Sequence, residues 1–372
     1  MRLDGRTARQ TGLGRGPAFG GGRRGRLRRL LHHVFGAGSP LRHLDWILIA
    51  AVLALSLIGT MLVWSATATK AFSTSDTYLH KGILNIAIGL VLMACVSMLD
   101  YRQLRQYAPI VLAASCLGLL IVLAPLGSLT APVNGSKSWI SLGGGFQIEP
   151  SEYAKLSIIF VGAMILGNIQ PGERRPRLRA VATMIAVSMV PVVLVVLQPD
   201  LGVVIIMLAL MIGLIALSGV KLSYLAGLLG VGAAGVFAVA KLHLLKAYQL
   251  NRLTSFLHPS ADPNGTGYSA YQSKIAIGSG GLMGQGLFHG QLVAGNFVPE
   301  QHTDFIFAVA GEEIGFVGCL VIIGLLAILL LRAIMIAARA DDQFGMLVAS
   351  GIAIWFAVQS FINIGMTIGI MP

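Results

Sequence analysis

Between residues 46 and 368 one pattern recurs: apolar runs of roughly 17–25 residues, the length needed to cross a bilayer as a helix. They lie at roughly 46–66, 82–99, 107–126, 151–168, 180–197, 200–218, 223–242, 305–331 and 344–368. A soluble domain carries about a quarter charged residues. This chain of 372 residues carries 11% and is 55% hydrophobic. The pattern predicts an all-α, polytopic helical membrane protein of nine spans. Cys95, Cys116 and Cys319 fall inside apolar runs and read as buried small residues, without disulfide or metal spacing.

Lys and Arg set the orientation. With the N-terminus in the cytoplasm, nineteen of the 27 basic residues fall on the inner side, ten of them in residues 1–43. This bias accounts for most of the net charge of +12 without nucleic acid. Residues 1–43 are Arg- and Gly-rich and read as a disordered basic cytoplasmic tail that touches anionic lipid. The run that follows is long enough to span, so it reads as an uncleaved first helix despite the Ala66-Thr67-Ala68 triplet. Two outer segments are long, 127–150 and 243–304, and nine of the fifteen acids lie on that side. Chemistry is therefore expected to face outward, where ATP is absent, and no P-loop occurs.

The stretch PEQHTDFIFAVAGEEIG, Pro299 to Gly315, places Asp304 at the outer head of the eighth span. At about 100° per residue, Ala308, Gly311 and Gly315 follow close to the same face. Such a small-residue stripe admits a neighbouring helix or a ligand. Glu312 lies two turns deeper and Glu313 on the far side. Acids inside a membrane are costly and either pair or line a wet cavity. Asp304 is thus a candidate general base, with a helix cap by Thr303 or Asp304 as the plainer reading.

In NGSKSWISLGGGFQIEPSEYAKL, Asn134 to Leu156, Trp139 reads as an interfacial anchor. Pro150 marks the first position of the fourth span. Glu152 and Lys155, one turn apart, form an ion pair, either purely structural or placed beside Asp304 to tune it. In QPDLG, Asp200 sits at a tight turn after Gln198 and Pro199, as a hairpin or as a cavity wall. The long outer segment holds the turn Asp262-Pro263-Asn264-Gly265. It also holds a glycine-rich run, Gly278 to Gly286, which reads as a phosphate cradle, a lid or a re-entrant loop. Arg252 and Lys274 are its cations toward an anionic group. His258, His289 and His302 lack metal-ligand spacing.

Together, in this order, NGSKSWISLGGGFQIEPSEYAK, QPDLG, YQSKIAIGSGGLMGQGL and PEQHTDFIFAVAGEEIG resemble the SEDS family, its rod-shape branch more than its division branch. The match covers nearly all of the chain after the tail and implies a SEDS transmembrane domain over 44–372. It implies a peptidoglycan glycosyltransferase that polymerises lipid II at the outer face of the bacterial cytoplasmic membrane. The family's essential Asp matches Asp304. Its PSE-x-x-K motif matches Glu152 and Lys155, and its motif Trp matches Trp139. Asp200, Arg252, Asp262, Gln272, Ser273, Lys274, His302 and Glu312 are carried as substrate-binding or supporting residues. Two departures stand out. Glu149 occupies a place where the family often has Gln, and the family's further loop and tenth helix lie beyond Met371-Pro372.

The expected mechanism has Asp304 take the proton of the acceptor 4-hydroxyl as that oxygen attacks the donor anomeric carbon. Positive charge on the leaving pyrophosphate would come from Lys155, Arg252, Lys274 or a divalent cation, Mg²⁺ or Mn²⁺. By resemblance, the partner is a class B penicillin-binding protein within a larger elongation complex of membrane proteins. Rival readings are a lipid flippase, which should show inverted repeats and polar residues through the bilayer depth, and a non-catalytic scaffold.

Overall fold

The computed structural model describes residues 44–68, 75–124, 138–143, 146–168, 175–198, 200–241 and 267–371. The expected tail over 1–43, the sequon at 134–136, Arg252 and Asp262 lie outside them.

Each apolar run becomes helix. The elements are α1 (Trp46–Thr67), α2 (Ser75–Ser97), α3 (Tyr101–Leu123), α4 (Pro150–Leu166), α5 (Leu178–Leu197), α6 (Leu201–Leu217) and α7 (Leu222–Lys241). There follow α8 (Tyr268–Ser279), α9 (Gln291–Ala294), α10 (Ile306–Glu313), α11 (Gly315–Ala338) and α12 (Gln343–Ile368). Six of them are long and apolar enough to cross a membrane: α1, α2, α3, α5, α11 and α12. The protein is a polytopic helical membrane protein.

The starts of these helices are written in short polar residues. Asp45, Asp100, Asp200 and Asp342 precede α1, α3, α6 and α12, and each side chain accepts from a first-turn N–H. Pro150 opens α4, where its missing N–H costs nothing. Between α3 and α4 a small antiparallel hairpin forms, β1 (Ile140–Gly143) against β2 (Phe146–Ile148), with Ile140 opposite Ile148. The sequence reading had only a loop there.

The packing centre is α4. Ile158, Ile159, Ala163 and Leu166 are buried against Met184 of α5, Leu210 and Leu214 of α6, and Leu347 of α12. Lipid is as apolar as leucine, so burial alone does not drive such contacts; close van der Waals approach does. Glycine permits it. Gly162 faces Met184 and Leu214, and Gly351 of α12 faces Ile159 and Leu214. By contrast, the spanning stretch of α2 buries none of its residues within the protein. Cys319 is buried as expected, but Cys95 on α2 is exposed and Cys116 is half-buried. At one end of the bundle, Arg332 of α11 holds the α1 cap, with Nη2 2.5 Å and Nε 2.7 Å from Asp45 Oδ2.

One expectation needs correction. The run 305–331 is two helices, α10 and α11, broken at Gly315, whose φ is +69°. The break strands the last carbonyls of α10 and the first N–H groups of α11. The glycine-rich run supplies their partners. Gln285 and Gly286 donate to the carbonyls of Glu312 and Glu313, both at 2.9 Å. Phe316 and Val317 donate to those of Gly281 and Leu282, at 3.0 and 3.1 Å. These glycines therefore pair with a broken helix, in a loop docked on α10 and α11. The small-residue stripe is likewise filled by protein. Gly311 lies against Ile277 of α8, and Ala308 packs with Ala276.

A Cβ on Gly315 would collide with the backbone of Met283 and Gly284. Gly315→Ala is expected to cost about 3 kcal/mol, from the left-handed backbone and the collision together. Gly324→Ala, on the same helix with nothing within 4 Å, is expected to stay within about 0.5 kcal/mol. Thermal unfolding of both variants in one detergent checks the contrast.

Candidate active site

The polar residues of the site meet where α4 begins and α12 ends. Lys155, one turn into α4, is 1% exposed. Its ammonium donates to Glu152 Oε1 at 2.7 Å and to Gln359 Oε1 of α12 at 3.1 Å. It also stands 5.0 Å from the ring centroid of Trp355, near enough for a cation–π contribution. Trp355 in turn donates its Nε1–H to Gln359 Oε1 at 2.6 Å. A buried ammonium survives only with such partners, because desolvation alone costs several kcal/mol. The expected Glu152–Lys155 pair is thus present, and α12 completes it.

One turn further along α12, Asn363 donates through Nδ2 to the main-chain carbonyl of Asp304 at 3.0 Å. One more turn on, Thr367 offers its carbonyl to Ser273 Oγ of α8 at 2.6 Å. The side chain of Lys274 lies across Gly369, the left-handed C-cap of α12, where a cation suits the negative helix end. Trp355, Gln359, Asn363 and Thr367 recur every four residues, so they follow one another along one side of α12. This ladder binds α4, the Asp304 turn and α8 into one assembly. Sequence reasoning missed Gln359 and Asn363. The four-residue spacing of polar groups inside an apolar run was the signal that would have found them.

Asp304 does not head a helix. It is exposed, in the turn before α10, which starts at Ile306. The deeper acids are building groups. Glu312 is fully buried and accepts from the N–H groups of Leu292 at 2.8 Å and Val293 at 3.0 Å, capping α9. Glu313 accepts from Ser65 Oγ at 2.5 Å and from the N–H of Phe288 at 3.2 Å. Both carboxylates fasten the 280–296 segment to the helices. Gln301 does the same, donating to the carbonyls of Ala66 and Val293.

The remaining candidates have other surroundings. Asp200 caps α6 through Val203 N at 3.2 Å, and buried Gln198 donates to the Leu119 carbonyl at 3.1 Å. Trp139 is 37% exposed just before β1. His302 meets Tyr78 of α2 edge-on, ring centroids 5.6 Å apart. Gln272 is half-buried on α8. Among the described residues, no three His, Cys, Asp or Glu side chains gather closely enough to hold a metal ion.

Glu149, just before α4, has a different electrostatic setting. Burial pushes its carboxyl above the usual range, and the charges of Glu152 and Asp200 push the same way. A hydrogen bond from Ser151 Oγ, 2.5 Å away, opposes them.

Comparison with known proteins places this arrangement. Residues 44–372 match the FTSW_RODA_SPOVE family, described as cell cycle protein. The chain is 36% identical over 338 residues to the peptidoglycan glycosyltransferase MrdB of Escherichia coli (strain K12), covering 89% of this chain and 85% of that protein. It is similar to a chain of a solved peptidoglycan synthase complex described as coordinating polymerization and crosslinking. That match has a TM-score of 0.71 and 28% identity over 88% of both chains. It is also similar to the crystal structure of the Thermus thermophilus rod shape determining protein RodA. There the TM-score is 0.61, at 27% identity over 88% of this chain and 86% of that one.

A carboxyl whose folded pKa is raised favours the protonated form, so its stabilising share is full below the ordinary value of 4.5 and is lost as pH rises through the folded pKa. Glu149→Gln is therefore expected to raise the melting temperature at pH 8 and to leave it near the parent's at pH 4.5. Thermal unfolding at the two pH values tests the sign.

Proposed function

The chain belongs to the FtsW, RodA and SpoVE family and is a peptidoglycan glycosyltransferase, and we propose that it polymerises lipid II with Asp304 as the general base. The observation that carries the reading is the α12 ladder. It ties an exposed carboxylate turn and a buried lysine to one helix, through Asn363 and Gln359, which are about 6 Å apart along its axis.

In this reading the acceptor's 4-hydroxyl gives its proton to the Asp304 carboxylate as its oxygen attacks the donor anomeric carbon. The bond from that carbon to the lipid pyrophosphate breaks, and the pyrophosphate leaves with the electron pair. Attack from the opposite face turns an α-linked donor into a β-1,4 product. The leaving group needs positive charge. Lys155 has two N–H groups committed, to Glu152 and Gln359. Its role is to set the local potential and hold α4 to α12. Lys274, exposed at the end of α12, is the better partner for pyrophosphate. Arg252 is a second candidate. Mg²⁺ or Mn²⁺ is the alternative counter-charge.

The reaction faces outward from the bacterial cytoplasmic membrane, with the N-terminus inside, in elongation and shape maintenance. The Lys and Arg bias supports that orientation. A class B penicillin-binding protein would crosslink the strands, a reading supported by the likeness to a chain of a complex that couples the two activities.

With lipid II and a transpeptidase-inactive partner, Asp304→Asn is expected to lower polymer formation by about 10²–10⁴-fold at an unchanged melting temperature. Parental polymer from that variant would remove Asp304 as the base. Asn363→Ala releases the Asp304 turn and is expected to cost about 10–100-fold in rate, with lipid II affinity retained. A rate equal to the parent's would break the link between α12 and the reacting carboxylate.

A further inference from the structure

Gln359 stands one turn before Asn363 on α12, and its Oε1 joins two donors. Lys155 Nζ reaches it at 3.1 Å and Trp355 Nε1 at 2.6 Å. An ammonium and an indole N–H can only donate, so both hold the carboxamide oxygen toward them. The NH₂ end then points away, and among the described residues it donates to nothing. Gln359 is exposed, although the Lys155 it holds is buried.

The helix α12 is long and apolar enough to cross a membrane. A polar group that meets hydrocarbon without a partner costs several kcal/mol, so an exposed donor on such a helix marks a surface to which acceptors come. Holding Lys155 and Trp355 accounts for Oε1 alone and leaves both N–H groups of Nε2 without a task. Accepting from a cation also polarises the carboxamide and makes those N–H groups better donors to an anionic oxygen.

Along α12 the Asp304 turn, held by Asn363, lies between two groups: Gln359 on one side, and on the other Lys274, at Gly369 past the helix end. With Asp304 as the base, the attacking and leaving oxygens stand on opposite faces of the donor anomeric carbon. Lys274 meets the leaving pyrophosphate, so the acceptor enters from the Gln359 side. In the outward orientation Gln359 is one turn deeper in the bilayer than Asn363, about 6 Å toward the acceptor's lipid. We propose that the Nε2–H groups of Gln359 bind a pyrophosphate oxygen of the acceptor lipid II and so hold its sugar 4-hydroxyl at Asp304. This contact rests on the polymerase reading above and adds a substrate-binding residue to it.

The test compares the parent with Gln359→Glu and Gln359→Met. Glu keeps an acceptor oxygen for Lys155 and Trp355 but has no NH₂; Met keeps neither. Gln359→Glu is expected to melt no lower than the parent, to raise the KM for lipid II about tenfold with kcat within about threefold, and to bind undecaprenyl pyrophosphate about tenfold more weakly. Binding is read in Lys274→Gln chains, so that the donor side does not mask it. Gln359→Met should weaken binding equally and melt lower. If Gln359 only fastens Lys155, Gln359→Glu matches the parent in KM and in binding, and the contact is overturned. Binding of undecaprenyl pyrophosphate involves no proton transfer, so its outcome stands apart from that of Asp304→Asn, which judges the base. Should both variants fold poorly, undecaprenyl pyrophosphate with a photoreactive first isoprene decides on the parent chain: labelling of residues 355–363 supports the contact, and labelling confined to the Lys274 end overturns it.

Discussion

A backbone N–H or C=O that meets hydrocarbon without a partner costs several kcal/mol, so a membrane chain cannot interrupt a helix freely. Here α10 and α11 are interrupted at Gly315, and the segment from Gly280 to Gly286 repairs the ladder with backbone groups of its own. The rest of the site follows from that exchange. The repaired break fixes where α10 ends, and the 8 residues of that helix lead back from it to the Asp304 turn. Glu312 and Glu313 then fasten the adjoining segment by accepting from Leu292, Val293, Ser65 and Phe288. Acids that look misplaced in an apolar sequence are the anchors of an irregular segment.

The other half of the site is held by α12. Its first half packs Leu347 and Gly351 into the core around α4. Its second half carries Gln359, Asn363 and Thr367, each bonded to a different element. A helix has few conformational options once both halves are committed. Groups held this way spend little free energy on ordering when a substrate arrives.

Much of this was legible in the sequence where the cause is local. Pro150 fixed the start of α4, the spacing of Glu152 and Lys155 fixed their pair, and the length of every apolar run but 305–331 fixed a helix. What escaped depends on distant partners. Gly315 reads as one small residue among several until Gly281 to Gly286 are brought beside it. Gln359 reads as a stray polar residue in an apolar run, since its reason, Lys155, lies 204 positions away. The β1–β2 hairpin escaped because Gly143, Gly144 and Gly145 give no strand pattern. The resemblance to a known family named Asp304, yet it did not say that the acid stands in a turn held by Asn363.

That separation of 204 residues has a consequence for the making of the protein. Lys155 enters the membrane long before Gln359 and Trp355 exist. At about 5–20 residues per second, the wait is roughly 10–40 s. During it Glu152, three residues upstream, is the local partner that travels in with Lys155. Until α12 arrives, the Glu152 carboxylate is the counter-charge within one turn of the ammonium.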